Sequence, residues 1–333
     1  ATKESFTGSA TVVKSEDLQK TQSSDVTRAL EGMVAGVQMT TATGTLGASP
    51  SIVIRGVSSI NASSAPLYVV DGIPYSGDLN NINPSDIESM TVQKDAASSS
   101  LYGARGANGV IKIKTRRGKR GPTRVSFSYK FKDKWTPNGY NLLNGDDYTM
   151  LIKQALFNVD QKGVEIPELN YDQTFPEYQN FNNNTDWVDA VSQHGYRNEY
   201  NLNLSGGGEK ATFRISGGYS NETGQVLGQN LNSFSSRLAL DYYVSSRIKV
   251  IADFGFSYTK QRRNTMDLLY NSLLMMPNMS IYNQDSLGNN TDAYYAMLKY
   301  SSPNQLQSAM QGRKNPIAVG DLAQYHTENY SIN

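Results

Sequence analysis

From Arg124 onward apolar and polar residues alternate with a period of two, and this constrains the fold of the 333-residue chain more than any other feature. In RVSFSYKFKDKW, Val125, Phe127, Tyr129 and Phe131 share one face, opposite Ser126, Ser128, Lys130 and Lys132. YRNEYNLNLS places Tyr196, Tyr200, Leu202 and Leu204 opposite Arg197, Glu199, Asn201 and Asn203. ATFRISGGYS sets Phe213, Ile215 and Tyr219 against Thr212, Arg214 and Ser216. FSSRLALDYYV and IKVIADFGFSYT continue the pattern, and a sixth segment begins near Ala323. Successive strand side chains point to opposite faces, so each segment is a strand with one apolar and one polar side. Each runs about 10 residues, the length a tilted transmembrane strand needs.

The connections sharpen this reading. GGGEK at 206–210 and SSR at 245–247 are tight turns, NETGQVLGQNLNS is an intermediate loop, and about 60 residues separate the first strand from the second and the fifth from the sixth. Outer-membrane barrels alternate tight periplasmic turns with long external loops in this way. Period two alone also suits a soluble β-sandwich; strand length and the alternating connections favour the barrel. Trp135, Tyr196, Tyr219, Phe234 and Tyr258 fall near strand ends, as interfacial aromatics do. No run approaches the roughly 18 apolar residues of a membrane helix, and a mean hydropathy of −0.51 conceals a membrane protein whose strands are apolar on one face only.

The first 120 residues follow a different grammar. TGSATVV, SIVIRG at 51–56, LYVVDG at 67–72, MTVQK at 90–94 and GVIKIKT at 109–115 read as short strands. Val26, Leu30, Met33, Val34 and Val37 recur at helical spacing after Ser24, with Gly36 placed to end the helix. DAASSSLYG at 95–103 reads as one short helix, and Ser85 with Glu88 has capping-box spacing. The fold expected is a mixed α/β domain over 1–121, followed over 122–333 by antiparallel transmembrane β-barrel strands with long external loops at 136–195 and 260–321.

IVIRG at 52–56, PLYVVDGIP at 66–74 and NPSDIESMTVQKDAASSSLYGARGANGVIKIKT at 83–115 together resemble the plug domain of TonB-dependent outer-membrane transporters of the SusC/RagA family. The match is ordered and nearly continuous from about Gly8 to Lys119. The resemblance implies a plug seated in a barrel of about twenty-two strands and location in the bacterial outer membrane. It further implies TonB-dependent uptake of large nutrients, oligosaccharide or peptide, with the plug as gate. The partners implied are outer-membrane lipid, a SusD-like surface lipoprotein and TonB, engaging a segment upstream of residue 1. Five or six strands leave unpaired edges in lipid, so the chain is expected to be the N-terminal part of a longer, 22-strand protein. Two other roles stay open: a scaffold in an outer-membrane export or assembly complex, and a soluble β-rich binding module or adhesin.

Plug seating and gating are assigned by the resemblance to Arg55, Asp71, Gly72, Lys94, Asp95, Arg105, Gly106 and Gly109, with Arg55 and Arg105 as partners of barrel carboxylates. Read on their own, Asp71 forms a turn before Gly72, Lys94–Asp95 caps the next helix, and the glycines of GARGANG permit tight turns without meeting a phosphate-binding pattern. Asn61, Tyr75, Asp78, Asn80 and Asn81 lie in the plug loops expected to face substrate. Nothing marks Asp86 and Glu88 as an acid/base pair. KIKTRRGKRGPTR carries seven cations from Lys112 to Arg124 but lacks the interleaved aromatics of a nucleic-acid platform, so it reads as a solvated or interfacial linker with no nucleic acid bound. With no cysteine, and His194 and His326 far apart, neither a metal or other cofactor nor catalysis is expected.

Overall fold

The computed structural model describes residues 10–20, 27–40, 45–56, 63–94, 100–135, 139, 141–161, 166–245, 247–264, 268–296, 313–322 and 324–332. The first part of the chain folds around a five-stranded sheet. Its strands are β1 (Ala10–Lys14), β4 (Leu67–Val70), β5 (Ile73–Tyr75), β6 (Ile87–Gln93) and β7 (Val110–Thr115), in the order β1-β6-β7-β4-β5. Only the β4–β7 pair is parallel. A separate ribbon joins β2 (Val37–Thr40) to β3 (Ser51–Ile54). Ile87, Met90, Val92, Ile111 and Ile113 form the centre of the core, closed by Leu30, Val34, Ile52 and Ile54.

Three local expectations change. The apolar spacing from Val26 to Val37 does not make a helix within the described residues. Thr27–Leu30 is a 3₁₀ turn, the chain bends at Gly32 and Gly36 (φ 74° and 79°), and Val37 opens β2. Leu30 and Val34 still reach the core, so spacing identified the buried residues and misjudged the backbone. Ser100–Gly106 is 3₁₀ with a break at Gly103, while 95–99 lie outside the described residues. The Ser85–Glu88 box is absent: Asn83 caps the turn Pro84–Asp86 by accepting the Ser85 amide at 2.9 Å, and Glu88 pairs with Lys114 across β6–β7 at 2.9 Å.

The second sheet is antiparallel throughout. It comprises β8 (Gly121–Lys134), β9 (Gly195–Gly207), β10 (Ala211–Thr223), β11 (Asn230–Tyr243), β12 (Lys249–Asn264) and β15 (Gln324–Ile332), paired in the order β15-β12-β11-β10-β9-β8. The first five strands are 13 to 16 residues long rather than about ten. NET and NLNS extend β10 and β11, leaving only 224–229 as the loop between them.

This sheet is inside out. Phe127 is 67% exposed on one face while Asn201 is 2% exposed on the other, where Thr212, Ser216 and Asp241 are also buried. Burying polar groups while apolar ones face outward is unfavourable in water and is what a barrel wall does in lipid. The first sheet packs on the polar face. β8 and β15 each pair on one side only among the described residues.

The two long loops are not separate excursions. Phe181, Trp187 and Val191 from the first enclose a core with Leu268, Met276, Met279, Tyr295, Ile317 and Val319 from the second. Trp187 Nε1 donates to the Met276 carbonyl at 2.9 Å, and Tyr295 donates to Glu177 at 2.6 Å. The hairpin of β13 (Tyr282–Gln284) and β14 (Asn290–Tyr294) flanks this cap.

Candidate functional site

The site with the most chemistry is the seam between the small domain and the polar face of the second sheet. At its lower end, near the tight turns, six charged groups converge. Asp71 turns the chain from β4 to β5 at φ 49°. Its carboxylate accepts the Thr115 amide at 2.9 Å and the Thr115 hydroxyl, and pairs with Arg237 of β11 at 3.0 Å. Arg237 also grips Asp253 of β12, at 2.7 Å through Nε. Arg117, in the link from β7 to β8, reaches Asp241 at 3.0 Å, Asp253 at 3.1 Å and Asp71 at 3.5 Å, and Lys249 closes on Asp241 at 2.9 Å. Three cations meet three carboxylates, so the partly buried cluster is neutral, as burial of charge requires. Burial pulls the Asp71 carboxyl upward, but the bonds from Thr115 and Arg237, with the Arg237 charge, outweigh it and hold Asp71 below its ordinary 3.8.

Beside this cluster, Asp86 pairs with Arg214 of β10 at 3.2 Å, both largely buried. Higher up, Asn83 Nδ2 donates to Asn201 Oδ1 at 2.9 Å and to Ser235 Oγ at 3.1 Å. That approach depends on Gly218: a Cβ there would overlap the Asn83 amide. From Asn201 the bonding continues up the wall. Asn201 donates to Glu199 at 2.9 Å, Arg197 bridges Glu199 and Glu222, and Lys134 meets Glu222 at the rim of the sheet. At the top Gln261 donates to the Leu46 carbonyl.

Most of the residues assigned from sequence to seating lie away from this seam. Arg55 is an exposed turn residue at φ 61° whose amide donates to Gly36, and Arg105 is exposed in its 3₁₀ turn. No ion pair joins either to the second sheet among the described residues. Lys94 Nζ donates to the Ala35 carbonyl at 2.7 Å. Gly72 follows Asp71 in the turn at φ 94°. Gly106 is buried and its carbonyl accepts the Gly109 amide at 3.0 Å. Gly109 sits at φ 92° where a Cβ would press on Ile54 at 2.9 Å. Asp95 and Asn61 lie outside the described residues.

The loop residues expected to face substrate are tied to each other. Tyr75 donates to the Asp78 carbonyl at 3.1 Å, and Asp78 caps 79–81 while accepting from Ser49 at 3.1 Å. Asn80 donates to the Gly47 carbonyl at 3.1 Å, and the Asn81 amide returns to Asp78. Asp78, Asn80 and Asn81 line a cavity of about 90 Å³ against Arg197 and Asn201.

Sequence reasoning missed Asn83, Asp86, Arg117, Arg214, Arg237 and Gly218. The parity of β10 and β11 already placed both strand arginines on the polar face; nothing local identified their partners. The basic link is less solvated than expected. Arg116 bonds the Asp86 and Ile87 carbonyls, and Arg120 stacks over Tyr243 at 5.4 Å and reaches the Glu209 carbonyl.

A small α/β domain held by neutralised charge against the polar face of an inverted antiparallel sheet defines the plug and adjoining wall of a TonB-dependent receptor. The TonB-dependent receptor plug domain family matches residues 2–110. A TonB-dependent receptor of Formosa agariphila is 33% identical over 323 residues, covering 95% of this chain and 28% of that protein. The TonB-dependent receptor SusC of Bacteroides thetaiotaomicron is 29% identical over 337 residues, covering 96% of this chain and 32% of SusC. The RagAB peptide importer in its closed-closed state superposes with a TM-score of 0.75 at 28% identity, over 90% of this chain and 36% of that chain. The chain belongs to the SusC/RagA family of TonB-dependent receptors, which are outer-membrane proteins. It spans about a third of the length of these relatives.

Proposed function

We propose that the protein carrying this chain takes up nutrients too large for passive pores across the outer membrane, driven by TonB. The plug, residues 1–121, acts as the gate, and 122–333 supply the wall it leaves. The observation that carries this reading is the chemistry of the seam. It consists of ion pairs and amide bonds, whereas the plug itself is held by an apolar core. Polar contacts of this kind can be exchanged for water when the plug is pulled, at a modest net cost for each bond. An apolar seam of the same extent would not release in this way.

On this reading Asp71 and Asp86 are the plug's seating carboxylates and Arg237 and Arg214 their receivers, with Arg117 fixing the hinge between domains. Arg55, Lys94 and Arg105 act on the plug's own turns. The folded cap of the two long loops meets a SusD-like lipoprotein, and the substrate is a peptide, supported by the likeness to a structure described as a peptide importer. An oligosaccharide is the competing cargo. Whole cells are offered fluorescent oligopeptides and, separately, fluorescent oligosaccharides. Peptide accumulation that disappears in strains lacking TonB or the receptor supports the proposal. Oligosaccharide accumulation alone overturns the cargo, and uptake indifferent to both deletions overturns the function.

A further inference from the structure

The inward face of β11 and β12 changes character between its two ends. Residues two apart on a strand share a face, and the register sets Arg237 beside Gly255, Ser235 beside Ser257, and Ser233 beside Thr259. Above Arg237 and Asp253, and below Leu231 and Gln261, every inward position on these strands is therefore glycine, serine or threonine. The plug does not fill this strip. The cavity of about 90 Å³ lies over its upper part, against Ser257, Thr259 and Gln261. A second cavity, of about 760 Å³, lies over its lower part. It separates Gly255, Asp253 and Arg237 from Ile73, Pro74 and Tyr75 of β5, which is an edge strand of the plug sheet. Asn81, Ile82, Asn83 and Ser235 line both cavities, which meet where Asn83 bonds Ser235 at 3.1 Å.

Two features of the strip lack a partner within the fold. Ser257 is 4% exposed and lines the upper cavity, yet its hydroxyl has no hydrogen-bond partner among the described residues. A buried hydroxyl left unpaired is unfavourable. Ile251 breaks the polar-inward rule of its strand. It and Ile73 of β5 are both more than half exposed, and both line the lower cavity. The path thus offers a free hydroxyl above and apolar surface below.

We infer that an extended peptide crosses the receptor along this strip of β11 and β12, its backbone received by the hydroxyls of Ser233, Ser235, Ser257 and Thr259. The inference rests on the peptide uptake proposed above and adds the side of the plug on which cargo passes. Inward residues on one strand recur about every 6.6 Å, and the same-facing backbone groups of an extended peptide recur at the same interval. Each hydroxyl both donates and accepts, so it meets an N–H or a C=O equally well. Bonds between neutral groups are individually weak against water, so the peptide is guided without being held, as it would be on a strip of unpaired charges. Small side chains leave the width a backbone needs, and Ile73 with Ile251 takes apolar side chains below. Ser235 is freed for the peptide when the plug carries Asn83 away from it.

The test measures fluorescent oligopeptide uptake by whole cells producing the full gene product, with its level in the outer membrane checked for every variant. Gly255→Trp, which fills the strip, should lower the maximal TonB-dependent rate at least about tenfold while leaving the half-saturating peptide concentration unchanged. Ser128→Trp, equally bulky on the inward face of β8 but away from the strip, should stay within about twofold of the unaltered receptor. Gly255→Leu repeats the measurement should the tryptophan variant not assemble. An unchanged rate in an assembled Gly255 variant, or an equal loss in Ser128→Trp, overturns the route and leaves the proposed uptake standing. Peptide entry through the unaltered receptor that ignores TonB overturns the uptake itself, and the route with it.

Discussion

Asp71 occupies a left-handed turn position, accepts two bonds from Thr115 and meets two arginines. Turn former and ion-pair partner are one role, because the turn is what aims the carboxylate at β11. Arg237→Ala would leave Asp71, Asp241 and Asp253 sharing Arg117 and Lys249. Loss of a partner from such a cluster costs about 3 kcal/mol, and the expected outcome is faster hydrogen exchange in β4 and β5 with the second sheet unchanged. The pH dependence has a definite sign. A carboxyl held below its ordinary 3.8 stabilises the folded seam at all pH above that value and loses the contribution only as pH falls further. Exchange at the Thr115 amide should therefore be flat from neutrality to about pH 5 after correction for intrinsic rates, and should rise below 3.8. The arginines were legible as inward-facing from period two. Asp86 was not legible as their partner, since Asp86 and Arg214 are 128 residues apart and meet only through packing.

Strands were the most legible elements, because a single face in lipid imposes period two on every residue between the interfaces. Their lengths were not, since pairing continues past Tyr219, Phe234 and Tyr258 into stretches that are mostly polar, where alternation stops carrying information. The helix expected before β2 failed for a related reason: core contacts from Leu30 and Val34 can be made by a turn as well as by a helix. The two-faced reading of the strands makes a directional prediction. Leu238→Arg, outward and within the apolar band, should cost about 2–4 kcal/mol of folding in bilayers. Ser128→Arg, on the inward face of β8, should cost little. Urea titration of the folded fraction in vesicles distinguishes the two.

At the scale of the molecule, three bodies are joined: a plug with its own core, an inverted sheet, and a cap built from both long loops. Plug identity was readable because its blocks are contiguous. The cap was not, because its core draws on segments about 100 residues apart. Trp187→Ala should remove about 3–5 kcal/mol from that core and expose 166–191 and 268–296 to protease together, while the strands stay protected. The shared core also bears on how such receptors diversify. A change in one loop has to be answered by a complementary change in the other, so the two segments should drift as a linked pair. Swapping the outer specificity of one receptor onto another would then succeed only when both loops are transplanted from the same donor.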